Sequence, residues 1–219
     1  AKLPFDAARD FAAITNIAAT SNVLVVHPSI PAANLKELVA LAKAHPGAYT
    51  FGSSGVGGAS HLAVELFRSM AGIELTHVPY KGGSLAVTDL IGGRLSLMFA
   101  NLTTVQGHIK SGRVRALAIG TAQRSLIMPE LPTVAESGVP GYEANNWNGL
   151  VAPARTPAAI VERLQREIKT AVARTDLRDS LIKSAFEPIA DSPGEFARYL
   201  ATERGKWAMV VKSAGIKPE

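Results

Sequence analysis

Cysteine is absent from the 219 residues, which excludes a disulfide scaffold, thiolate zinc sites, iron–sulfur ligation and a cysteine nucleophile. Its absence assigns no compartment. Long apolar runs are missing as well: the longest are a handful of residues, as in Leu24-Val25-Val26, whereas crossing a bilayer by helix takes roughly 20. Charge of one sign is nowhere concentrated. The net charge is +5, yet residues 1–154 carry 11 Lys/Arg against 9 Asp/Glu and residues 155–219 carry 12 against 9, with the signs interleaved. Nucleic-acid affinity rests on clustered cations that release counterions, so no nucleic-acid partner is expected. Ala1-Lys2-Leu3-Pro4-Phe5-Asp6 has neither the charged start nor the apolar run of a signal peptide, so any export signal is expected to have been removed or to lie upstream.

What is present is ample for a packed core: 47% of the residues are hydrophobic, in a length suited to one large or two small domains. Short apolar runs alternate with glycine or small polar loops and then amphipathic segments, the grammar of an α/β fold. Period-2 runs predict strands near Phe11 to Ala19, Val23 to His27, Tyr49 to Gly52, Leu75 to Val78, Leu95 to Phe99, Val114 to Gly120 and Trp147 to Ala152. Asn34 with Glu37 reads as a capping box, Thr156-Pro157 as an N-cap before a first-turn proline, and Ser192-Pro193-Gly194-Glu195 as the same device. After Thr156-Pro157, Ile160, Leu164, Ile168 and Val172 form an apolar stripe. Five of the 13 prolines fall between Pro129 and Pro157, which suits a crossing between lobes, with one short helix over Thr133 to Ser137.

Three strands run into a loop that opens a helix. They are Gly52-Ser53-Ser54-Gly55-Val56-Gly57-Gly58-Ala59-Ser60, Val78-Pro79-Tyr80-Lys81-Gly82-Gly83-Ser84, and Phe99-Ala100-Asn101. At the carboxyl ends of strands in an open α/β sheet such loops converge, and helix starts present unpaired N–H groups to an anion. Ser53, Ser54 and Ser60 add hydroxyl donors, and Gly57 and Gly58 permit close approach. The same residues also fit an ordinary tight turn with a serine cap. Lys81 reads either as the cation for an acidic ligand or as a solvated turn lysine. Tyr80, Trp147 and Asn148 are candidates for a cleft wall, with core packing the alternative for the tryptophan.

Sharper motifs fail. No lysine follows the glycines as a P-loop needs, Gly55-x-Gly57-Gly58 departs from the dinucleotide fingerprint, and Gly52-Ser53-Ser54-Gly55 places the second glycine one residue early for a hydrolase elbow. His61 and Glu65 share a helical face but lack a third ligand, so no metal is expected; no carboxylate lies within the loops, so neither is a catalytic acid or base.

The succession Gly52-Ser53-Ser54-Gly55-Val56-Gly57, Ser60-His61-Leu62-Ala63, His77-Val78-Pro79-Tyr80-Lys81-Gly82, Asp89-Leu90-Ile91-Gly92-Gly93, Arg115-Ala116-Leu117-Ala118 and Leu131-Pro132-Thr133-Val134-Ala135-Glu136-Ser137-Gly138 resembles the Bug-type solute receptors of tripartite tricarboxylate transporters. The resemblance covers essentially the whole chain. It implies an α/β, two-lobed type II periplasmic binding protein fold, with residues 25–148 as the second lobe and residues 1–24 and 149–219 as the remainder of the first. It implies no catalysis and no cofactor, a small carboxylate ligand, and membrane permease subunits as partners. Ser53, Ser54, Gly57, Gly58 and Ser60 would take one carboxylate, and Tyr80, Lys81, Gly82, Gly83, Asn101, Trp147 and Asn148 would complete the pocket. Family sequences carry a further N-terminal segment, so the first lobe is expected to be incomplete, and association through that side is left open. The family also tends to place an aspartate where this chain has Ala100, which argues against an amino-acid ligand. A small-molecule hydrolase or phosphate-ester enzyme using the same cradle is the alternative.

Overall fold

The computed structural model describes residues 4–217. The elements run β1 (Phe11–Val26), α1 (Leu35–Ala44), β2 (Thr50–Ser53), α2 (Ala59–Ala71), β3 (Thr76–Pro79), α3 (Gly83–Ile91), β4 (Leu97–Asn101), α4 (Leu102–Lys110), β5 (Arg115–Ile119), β6 (Asn145–Pro153), α5 (Ala158–Ala173), α6 (Thr175–Lys183), β7 (Glu187–Pro188) and α7 (Pro193–Ser213). The chain divides into two compact units, residues 21–146 and a second made of the stretch up to Thr20 together with that from Trp147 onward. Both divisions fall inside strands, β1 and β6.

Within residues 21–146 the strand order is β3-β2-β4-β1-β5. β2 lies parallel to β3 and β4, with Phe51 opposite His77 and Leu97. β1 is antiparallel to β4 and β5. The carboxyl ends of β2, β3 and β4 therefore share one edge of the sheet, and β1 enters this unit at that same edge, with Asn22 opposite Asn101. Val23, Leu24, Val25 and Val26 are wholly buried, as near-continuous apolar runs are when both faces of a sheet are covered. Phe99 stacks on Tyr142 with centroids 5.5 Å apart, and Phe67 meets both edge-on at 6.0 and 6.2 Å. The Tyr142 hydroxyl donates to the Ala63 carbonyl at 2.9 Å, so the ring's one polar atom is satisfied in the core.

In the other unit, β1 pairs with β7 through Ala18 and Pro188. Ile14, Ala152 and Val161 form a core on which Ile168 packs. Ser192 and Glu195 exchange both bonds of a capping box at the start of α7. Phe196 is fully buried beside Trp147, at 5.6 Å edge-on. It also leaves no space at Gly149, where a Cβ would stand 2.1 Å from the ring.

Four local expectations change. The two strands predicted around residues 11–27 are one: Thr20, Ser21 and Asn22, which stand between them, are buried inside β1, and Asn22 Nδ2 donates to the Ala144 carbonyl at 3.2 Å. Thr133 to Ser137 is a turn, not a helix, although Thr133 and Glu136 do exchange capping bonds of 2.9 and 3.0 Å. Thr156 does not cap α5; Pro157 occupies that position with no side-chain bond. On α5 itself the predicted stripe holds only toward its C-terminal half: Val172 is buried and Ile168 packs on the core, whereas Ile160 and Leu164 are exposed and Val161 turns inward instead.

Candidate functional site

The turns after β2, β3 and β4 contribute to one cavity of 290 Å³ within residues 21–146. From the first come Ser54, Ala59 and Ser60, from the second Gly83, Ser84 and Val87, from the third Ala100, Asn101 and Thr104. Asn22 of β1 and Asn146 of β6 close the polar side, with Met98 and Phe99 of β4 as apolar floor. None of these lining residues carries a charge.

Backbone geometry opens the helix starts to this space. Gly58, Gly82 and Asn101 occupy the N-cap positions of α2, α3 and α4, and none makes a side-chain capping bond. Asn34 and Ser192 do so for α1 and α7. First-turn N–H groups without a capping side chain keep their partial positive charge available for an anion. Gly82 has φ 128°, a conformation that glycine alone adopts without strain.

The absence of a cap on α4 has a specific cause. Asparagine is a strong N-cap residue through its Oδ1, but here Asn101 Oδ1 accepts from Asn146 Nδ2, which also donates to Asn22 Oδ1 at 2.9 Å. Asn146 thus withholds Asn101 from its own helix. An Asn146→Ala variant should let the Asn101 carboxamide turn to cap α4. Amide exchange at Thr103 or Thr104 would then slow about fivefold, for a cap of ~1 kcal/mol; unchanged exchange would show that Asn101 is held by other groups.

The turn after β2 is tied internally. Ser60 Oγ accepts from the Ser54 N–H at 2.9 Å and lies 3.1 Å from Ser54 Oγ. One hydroxyl donates to the other, so the pair retains one O–H for the cavity. Ser53, by contrast, is fully buried behind the turn, with Oγ 2.7 Å from His77 Nε2.

Of the residues predicted from sequence, the structure brings Ser54, Ser60, Gly83 and Asn101 together around the cavity. Ser53, Gly57, Gly58, Tyr80, Lys81 and Gly82 belong to the same turns but lie outside its lining. The Tyr80 hydroxyl donates to Asp89 at 2.8 Å, and Arg94 donates to the same carboxylate at 2.8 Å. These bonds, that from Tyr80 first, hold the Asp89 carboxyl below its usual range. Burial and the bond to Asp89 push the Tyr80 phenol up. Trp147 belongs to the other unit, packed on Phe196 and Tyr199, and Asn148 is exposed in that unit. Asn22, Asn146, Ser84 and Thr104 were missed. The legible signal was Asn22, a carboxamide heading a run of buried aliphatics. Among the described residues no cluster could hold a metal ion.

The chain, whose strand-to-helix turns surround this neutral polar cavity, superposes on solved structures. A Rhodopseudomonas palustris protein, Rpa4515, solved with adipate matches at 36% identity and a TM-score of 0.86, covering 100% of this chain and 73% of that one. MatC from the same species, solved with bound malate, matches at 25% and 0.79, covering 96% and 73%. Protein BugT of Bordetella pertussis is 33% identical over 98% of this chain, which spans 66% of BugT. Residues 1–216 match the TctC family, described as the tripartite tricarboxylate transporter family receptor. The chain belongs to that family.

Proposed function

We propose that this chain forms the ligand-holding part of a periplasmic receptor that binds a small carboxylate and delivers it, unchanged, to the permease subunits of a tripartite tricarboxylate-type transporter. The observation that carries the reading is the single cavity shared by three helix starts whose N-caps make no side-chain capping bond. A carboxylate placed there exchanges water for N–H and O–H donors already fixed in position, at little cost in reorganisation. The Ser54/Ser60 hydroxyl and the start of α2 would take one carboxylate; the Asn101 carboxamide and the start of α4 would take a second oxygen-bearing group. Gly83 would admit the ligand close to the backbone of α3. Lys81, Tyr80 and Gly82 would act on the rim, Gly57 and Gly58 by shaping the α2 turn, and Ser53 by supporting it from behind. Trp147 and Asn148 would act from their own unit.

The adipate and malate carried by the two structural relatives are both short dicarboxylates, and a lining that combines several hydroxyl and carboxamide groups with Met98 and Phe99 suits that class. The hydrolase alternative needs an acid or base to activate a hydroxyl such as Ser54 or a water, and no carboxylate or imidazole is among the lining residues. Calorimetric titration of the chain with a panel of short mono- and dicarboxylates, adipate and malate among them, tests the reading. Saturable binding with no turnover on ester or phosphate panels is expected; a folded chain that binds none of them, or that turns over an ester, would overturn it.

A further inference from the structure

Behind the anion-binding turn lies a group of side chains that the cavity does not use. His61 of α2 and His77 of β3 stack face to face with ring centroids 4.0 Å apart, and Phe51 of β2 stacks on His77 at 4.7 Å. Both imidazoles touch the turn from beneath. The Gly57 N–H donates to His61 Nδ1 at 3.0 Å. His77 Nε2 meets Ser53 Oγ at 2.7 Å, and Ser53 Oγ in turn accepts from the Gly55 N–H at 3.2 Å. The turn is thereby pinned at Ser53, Gly55 and Gly57, which flank Ser54 on both sides.

We propose that His61 and His77 are positioning residues: as neutral, stacked rings they hold the turn between β2 and α2 in its anion-binding shape, and protonation releases it. The inference rests on the reading of this turn as an anion cradle.

The chemistry is set by which atom accepts. An N–H aimed at His61 Nδ1 requires a lone pair there, so the proton of the neutral ring sits on Nε2. A second proton on Nδ1 would face the Gly57 N–H donor to donor. Of the charged groups around the pair, Glu65 favours such a proton and Arg68 opposes it. Glu65 of the same helix is 3.7 Å from His61 Nε2, beyond hydrogen-bond reach, and its carboxylate is already taken by Arg68 at 2.7 and 3.0 Å. Arg68 also bonds Glu74, just before β3, at 2.6 Å. Each imidazole faces the other across the stack, so two imidazolium charges would repel.

Burial first, with Arg68 adding to it, lowers the His61 pKa despite Glu65. Burial, then His61 and Arg68, lowers that of His77 to about 4. The sign follows: with folded pKa values depressed below the ordinary value of about 6.5, the turn is fully held above that pH and is progressively lost as pH falls toward about 4.

Nitrogen-detected NMR of the imidazoles, together with amide spectra of the ligand-free chain, tests this. At neutral pH His61 should be the Nε2–H tautomer. As pH falls, the Gly55 and Gly57 amides should shift with the histidines while amides of α1 and β5 stay in place. His61→Asn offers an oxygen where Nδ1 stood and cannot titrate, so the pH response of the Gly57 amide should shrink to what His77 transmits through Ser53 and Gly55. His61→Leu should speed exchange at the Gly57 amide about tenfold, as for a lost bond of ~1.4 kcal/mol, with far-UV circular dichroism unchanged. An Nδ1–H tautomer, or a Gly57 amide that titrates in His61→Asn as in the parent, would overturn the proposal. Adipate titration adds a separate arm: affinity should fall about tenfold in His61→Leu and stay within about twofold in His61→Asn. Failure of the parent chain to bind adipate would weigh on the receptor reading and leave the NMR result standing.

Discussion

Replacing Phe99 by alanine is expected to lower the unfolding free energy by ~3–5 kcal/mol, the usual cost of deleting a fully buried phenyl ring. Phe99 sits on β4, between β2 and β1 in the sheet, with Leu24 as its ladder partner. It is wholly buried and stacked on Tyr142. The ring also floors the cavity, so its loss joins a core void to the ligand space rather than leaving a closed hole that neighbours can fill. Phe99→Leu should lose less, because most of the apolar volume remains. Urea unfolding monitored by circular dichroism reads both, through the midpoint at constant m-value. A loss under ~1 kcal/mol for the alanine variant would contradict the packing described.

Removing the Ser54 and Ser60 hydroxyls together should weaken carboxylate binding by ~1.5–3 kcal/mol, the range for one hydrogen bond to a charged group. From sequence alone each serine would contribute its own bond. Their separation of 3.1 Å, with Ser60 Oγ also accepting the Ser54 N–H, makes them one donor unit. Either single alanine variant still leaves one hydroxyl free to donate, so each should cost well under half of the double, a large non-additivity that a double-mutant cycle on adipate affinity detects. Two independent, summing losses would show that both hydroxyls reach the ligand separately.

The placement of elements was legible because its signals are local. Alternation and glycine punctuation located the strands and the loops that open α2, α3 and α4, and the Ser192 and Asn34 caps lie where their spacing puts them. Half-buried helices were read less well. On α5 both Ile160 and Val161 are apolar, and only the packing partner decides which one turns inward. For the candidate site, short-range cues found Ser54, Ser60, Gly83 and Asn101, residues at strand-to-helix turns. Asn22 and Asn146 escaped because what recruits them is a contact across 124 positions of sequence, invisible to any window. Tyr80 stood out by its place in the second loop; its bond to Asp89, nine positions later, was not legible there.

Asn22 and Asn146 have one more property in common. The unit that contains the cavity begins at Ser21 and ends at Asn146, so each of the two points where the backbone departs from it is marked by a carboxamide that borders the cavity. A guest that displaced the Asn22–Asn146–Asn101 linkage would alter side-chain contacts beside both crossings of the backbone at once.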